Sequence, residues 1–143
     1  KQGLHGKNEI DAFKKIRSFP KINHIKLTNL VLFQIYPSLI ENNFDEFSKA
    51  ISKLQNIMGK YFNIFQNGMF SSSEVSNVLN FLRKENISGY GQTSWGPTGF
   101  ALFPNIKKAE EMRLKLKKRF SSCKNLEFII CSGKNTGADI QLR

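Results

Sequence analysis

The sequence holds few of the residues that carry most enzyme chemistry. Cysteine and histidine occur twice each in 143 residues, as Cys123, Cys131, His5 and His24. Their spacing matches no zinc-ligand pattern, so no metal site is expected from them. Two free thiols are the simplest reading. No Ser–His–Asp or Cys–His constellation has sequence support. Acidic side chains are also scarce, 11 against 22 lysines and arginines. Asp45 and Glu46 fall in the first turn of a helix, where capping and the helix dipole account for them. Apolar stretches such as Leu30 to Phe33 are far short of the roughly 20 residues that span a bilayer, and of a signal-peptide core. No membrane association is therefore expected, and a cytoplasmic location is, although Asn86-Ile87-Ser88 formally matches a glycosylation sequon. The chain opens on Lys1 rather than methionine and reads as a fragment or processed product.

What is present is globular in composition. Hydrophobic residues make up 40% and charged residues 23%, in a length that suits one domain with one core. The outlier is a formal net charge of +11. Such an excess suits a polyanionic partner, whether nucleic acid, an anionic membrane or a phosphorylated small molecule; it equally suits a lysine-rich surface that keeps the protein solvated.

Three amphipathic helices are legible. From Asn43 to Phe65, apolar residues at 44, 47, 51, 54, 58, 61 and 65 share one face, with Asn43 and Glu46 placed as a capping box and Asn67-Gly68 as the stop. A second helix runs from Glu74 to about Glu85, with Ser71 as its expected cap and Val75, Val78, Leu79 and Leu82 inward. A third spans Ile106 to Phe120, with Ile106, Ala109, Met112, Leu116 and Phe120 inward and Glu111 expected to pair with Lys115. Its outer face bears Lys107, Lys108, Arg113, Lys115, Lys117, Lys118 and Arg119. It lacks interleaved exposed aromatics for base stacking, so a solvated face is preferred over a nucleic-acid surface. Strands are expected at 88–92, 99–103, 126–131 and 138–142, with a hairpin turn at 133–137. Ile10 to Ile16 reads as helical, and 25–40 as a buried helix broken near Pro37. The sum is an α+β domain, a small antiparallel sheet with helices packed on one face.

The conspicuous segment is Gly89-Tyr90-Gly91-Gln92-Thr93-Ser94-Trp95-Gly96-Pro97-Thr98-Gly99. Four glycines and a proline in such a span preclude a regular helix. Glycines let backbone N–H groups converge on an anion, and Gln92, Thr93, Ser94 and Thr98 add polar donors around the flat wall of Trp95. The run has neither the Gly-Lys-Ser/Thr ending of a P-loop nor the strand-to-helix setting of a dinucleotide fingerprint. A tight β-connection around a packed tryptophan is the competing structural reading.

The string GYGQTSWGPTGFAL resembles the C-terminal signature of the beta-ribofuranosylaminobenzene 5'-phosphate synthase family, a branch of the GHMP kinase superfamily, which carries a GxGQSSWGPT element there. Gly3-Leu4-His5-Gly6 with Glu9, Tyr36-Pro37-Ser38-Leu39, Phe62 with Phe65-Gln66-Asn67-Gly68, and Asn135-Thr136-Gly137-Ala138 resemble further family elements in the same order. Thr93 stands where a serine is usual, and Asn67 where a glycine is. The superfamily's Pro-x-x-x-Gly-Leu-Gly-Ser-Ser-Ala nucleotide loop, part of the family's N-terminal domain, does not occur in this sequence. The resemblance implies a ferredoxin-like C-terminal domain whose partner is that N-terminal domain; a homodimer is left open. It also implies a reaction of phosphoribosyl pyrophosphate with an aminobenzoate or hydroxybenzoate, releasing CO2 and pyrophosphate, toward methanopterin-type carriers. Mg2+ would accompany the pyrophosphate, and ATP would enter only if the chemistry were that of a kinase. The residues expected to bind the anionic small-molecule substrate are Gly91, Gln92, Thr93, Ser94, Trp95, Gly96 and Thr98, with His5, Glu9, Gln66, Asn135 and Gly137 in support.

Overall fold

A computed structural model describes residues 5–66, 68–134 and 136–138. Helix α1 (Gly6–Lys15) leads through a short linker to α2 (Lys21–Leu30), a π-helical turn (Val31–Ile35) and α3 (Tyr36–Ile40). The long helix α4 (Phe44–Gln66) and α5 (Ser73–Lys84) follow, then a hairpin of β1 (Tyr90–Gln92) and β2 (Gly99–Ala101), and α6 (Ile106–Arg119). The fold is α+β, helix-rich with a small antiparallel sheet. No helix among the described residues is long and apolar enough to cross a membrane.

The segment 21–40 is a single rod rather than a helix broken at Pro37. Proline lacks an N–H, and its ring crowds the carbonyl four residues back. The rod absorbs this by widening: the Tyr36 N–H reaches Val31 O, five residues back, one turn before the proline. Ser38 Oγ then donates to Gln34 O at 2.6 Å and Ile35 O at 3.0 Å, bonding back onto the widened turn. Nor is the rod buried. Leu30 and Ser38 face inward, while Leu32, Phe33, Tyr36 and Ile40 are exposed.

Asn43 caps α4 as expected, its Oδ1 accepting the Glu46 N–H at 3.2 Å. The cap of α5 is one residue later than expected. Ser72 Oγ accepts from the Val75 N–H at 3.3 Å, while the Ser71 N–H is directed to Gln92 Oε1 at 2.6 Å. Val78, Leu79 and Leu82 of α5 and Leu116 of α6 form the buried centre, with Tyr90, Ala101, Met112 and Phe120 packed around it. Ile106, expected inward, is 58% exposed in the first turn of α6.

The hairpin register pairs Tyr90 with Ala101, Gly91 with Phe100 and Gln92 with Gly99. Residues 126–131, expected as a strand, join no ladder among the described residues. Their period-2 pattern is real: Leu126 and Phe128 pack on the core while Ile129 is exposed. An extended segment can bury alternate side chains without a pairing partner, and periodicity reports only the first of these. The expected hairpin between 126–131 and 138–142 is not formed by the described residues, and 139–142 lie outside them.

Candidate functional site

The glycine-rich run is seated by a face of α4 that apolar periodicity does not reveal. Ser48, Ser52, Gln55, Phe62 and Gln66 follow helical spacing beside the apolar stripe. Ser48 is buried, and all five meet the run 89–96 or its partners. Ser52 Oγ accepts the Gly89 N–H at 2.9 Å, and Gln55 Oε1 accepts the Gln92 N–H at 3.0 Å. These side chains satisfy N–H groups on the outer side of β1, an edge that would otherwise be open to pairing. Only a small residue fits so close to the helix: Gly89 has φ +75°, and a Cβ there would lie 2.9 Å from Ser48 Cβ.

Gln92 is the hub of the loop frame and is itself buried. Its Oε1 accepts from the Ser71 N–H, and its Nε2 donates to Gln66 Oε1 at 3.1 Å and to Ser94 O at 3.0 Å. Gln66 Nε2 donates onward to Met69 O at 2.9 Å. Every polar atom of the Gln92 amide thus has a protein partner, so this side chain holds the loop's shape rather than facing a ligand.

Trp95 is 7% exposed and closes the other side. Its indole N–H donates to Glu9 Oε1 at 2.9 Å. Its ring meets Phe62 of α4 and Phe13 of α1 edge-to-face, at centroid distances of 4.8 Å and 5.6 Å. The ring series continues through Tyr61 and Phe19 to His24, and Tyr61 OH donates to Arg17 O at 2.6 Å. This aromatic chain ties the loop, α4, α1 and the linker into one unit. The sequence offered a signal for it: Tyr61 and Phe62 adjoin each other in a helix whose stripe needs only the first.

Between these two anchors the chain turns. The Gly96 N–H donates to Thr93 O at 2.7 Å, and the Thr93 N–H donates to Thr98 O at 2.9 Å. Ser94 sits at φ +44°, a left-handed conformation uncommon for serine. Gly96 is at φ +70°, and a Cβ there would overlap Ser71 Oγ, a buried hydroxyl with no partner of its own. Thr93, Ser94 and Thr98 remain exposed at the crest. Thr93 Oγ1 donates back to Thr98 O at 3.2 Å, leaving the hydroxyls of Ser94 and Thr98 at the surface. The resulting arrangement is a short polar crest on a fixed base, suited to hydrogen-bonding an anionic group without reorganising.

Among the supporting residues, Glu9 and Gln66 join this network through Trp95 and Gln92. His5 is exposed at the start of α1. A Cβ on Gly137 would meet nothing within 4 Å, so that glycine is not packed against the loop, and Asn135 lies outside the described residues. Glu9 is the carboxylate at the loop, and no set of three or more His, Cys, Asp or Glu side chains gathers as a metal site among the described residues. One oxygen of that carboxylate is already taken by the Trp95 N–H.

The basic face of α6 is partly folded back on α5. Lys115 pairs with Glu85 rather than with Glu111, which pairs with Lys108 at 3.2 Å. Arg119 lies 5.3 Å from the Phe81 ring centroid. These contacts engage charges that a polyanion would otherwise take.

A family model described as GHMP kinases C terminal matches residues 35–122, more than half of the chain. Two curated proteins named beta-ribofuranosylphenol 5'-phosphate synthase are similar to it. That of Methanocaldococcus jannaschii is 34% identical over 98 residues, 68% of this chain and 28% of the relative. That of Archaeoglobus fulgidus is 22% identical over 145 residues, 99% of this chain and 42% of the relative. The chain therefore spans less than half the length of these curated relatives. No solved structure matches.

Proposed function

The chain belongs to the GHMP kinase C-terminal family, and on that premise we propose that it forms the substrate-side wall of a phosphoribosyl-transferring synthase. The substrates are phosphoribosyl pyrophosphate and an aminobenzoate or hydroxybenzoate, and the reaction releases CO2 and pyrophosphate in a methanopterin-type pathway. The nucleotide-loop domain of the superfamily supplies the opposite wall. The observation that carries this reading is the crest at 93–98: exposed hydroxyls of Ser94 and Thr98 on a base locked by Gln92 and Trp95. Both relatives are named as synthases of a ribofuranosylphenol 5'-phosphate, which supports a phosphoribosyl-transferring reading.

Departure of pyrophosphate builds negative charge, and fixed donors stabilise it more than mobile water does because they need not reorient. Gln92 and Trp95 act here only by holding the turn; Ser94 and Thr98 are the groups that meet the substrate. The net charge of +11 raises the local concentration of such an anion, an effect that salt screens beyond about 8 Å at physiological ionic strength. Any Mg2+ enters with the pyrophosphate rather than on ligands from this wall.

An ATP-dependent small-molecule kinase is the second reading, and the family description favours it. Incubating the full-length protein with labelled phosphoribosyl pyrophosphate and hydroxybenzoate, or with ATP and candidate acceptors, separates the two. The synthase reading expects pyrophosphate release that depends on the benzoate. ATP turnover with no use of phosphoribosyl pyrophosphate overturns it.

A further inference from the structure

The rod 21–40 turns Leu27, Leu30 and Ile35 inward together with the polar Asn23, Gln34 and Ser38. Its outward face carries Ile22, Ile25, Leu32, Phe33, Tyr36 and Ile40, each more than half exposed, with Phe33 at 72%. Among the described residues, eight of the fourteen exposed large hydrophobics fall on this one rod, so the exposure is concentrated rather than scattered. A contiguous apolar strip of this kind marks an interface, since single exposed leucines are ordinary and rows of them are not. Among the described residues nothing covers it, and α4 lies on the rod's other side, with Lys53 Nζ donating to Gln34 Oε1 at 2.8 Å.

Two observations say what does. The family model begins at residue 35, within the rod, so most of the strip precedes the matched domain. The Archaeoglobus fulgidus relative aligns along 99% of this chain, yet the alignment occupies only 42% of that relative. Electrostatics disfavours a second copy, which would bring together two chains of formal net charge +11 each, with Lys21 and Lys26 exposed on the rod itself. We infer that the outward face of the rod is the docking surface for the remaining domain of a longer synthase polypeptide, which presents an apolar face with an acidic rim. The occupant follows from the reading that this chain works as one domain of such a synthase. Docking there sets the position of the 93–98 crest relative to the opposite wall, because Phe19, Tyr61, Phe62 and Trp95 link the start of the rod to the loop ring by ring.

Site-resolved maleimide labelling tests it. Phe33→Cys and Leu39→Cys place thiols on exposed positions that bear little on folding, and Leu114→Cys on the far helix α6, 65% exposed in the parent, serves as the reference. In the 143-residue chain all three label at comparable rates. In the full-length polypeptide the two rod thiols are expected to label more than about tenfold more slowly, with the reference unchanged. Equal labelling of rod and reference thiols in full-length protein overturns the inference. So does protection that is lost on dilution together with a dimer, which assigns the face to a second copy. Protection without CO2 release in the synthase assay keeps the docking face and sinks the synthase reading instead.

Discussion

Replacing Trp95 by alanine removes the ring that joins α1, the loop and α4. Truncating a buried aromatic side chain typically costs about 3–5 kcal/mol, and the two edge-to-face contacts add to the area term. Here the lower end applies. Phe13, one of its ring partners, is 53% exposed, and Glu9 regains water when the indole N–H is lost. The working figure is about 3 kcal/mol, which for a domain of this size lowers Tm by about 12 °C. Trp95→Phe keeps most of the ring and loses the hydrogen bond, for about 1 kcal/mol. Thermal unfolding followed by far-UV circular dichroism measures both. Because Trp95 is the single tryptophan, its emission reports the same transition from inside the cluster. An alanine variant that melts within about 3 °C of the parent would refute the reasoning, since that margin is under 1 kcal/mol.

Gly96→Ala is expected to cost about 2–4 kcal/mol, part from φ +70° and part from overlap with Ser71 Oγ. Adding Ser71→Gly relieves the overlap alone, so a double-mutant cycle in urea should recover about half of the loss; full additivity would contradict the geometry. Gln92→Ala strands the Ser71 N–H, Ser94 O and Gln66 Oε1 together, and the same denaturation should show a loss of about 2–3 kcal/mol. A near-neutral result would mean that the hub is not formed.

The sequence revealed elements whose cause is local. Asn43 caps α4 because its side chain needs only a neighbouring N–H, and Val78, Leu79 and Leu82 are buried because helical period alone puts them together. What it concealed depends on distant partners. Ser71 and Ser72 are equally good caps in isolation; the structure seats Ser72 as the cap and turns the Ser71 N–H to Gln92, 21 residues away. The stripe at 44–65 reads as the buried face of α4, yet the buried residues of that helix are Ser48, Ala50 and Gly59, and Ser52 and Gln55 reach the loop that glycines 89 and 91 let approach. Likewise, the apolar content of the rod says that it needs cover and nothing about where the cover comes from. In the candidate site, the structure divides the run that the sequence singled out. Gln92 and Trp95 become its frame, and Thr93, Ser94 and Thr98 its exposed crest.

The central claim is that this crest, on its fixed base, binds the leaving pyrophosphate. Release of labelled CO2 from carboxyl-labelled hydroxybenzoate by the full-length protein, supplied with phosphoribosyl pyrophosphate, tests it in the parent and in Ser94→Ala and Thr98→Val. Both side chains are exposed, so stability should change by less than about 0.5 kcal/mol. Turnover is expected to fall at least about tenfold in each variant, with Tm unchanged. Unaltered CO2 release in both variants would contradict it.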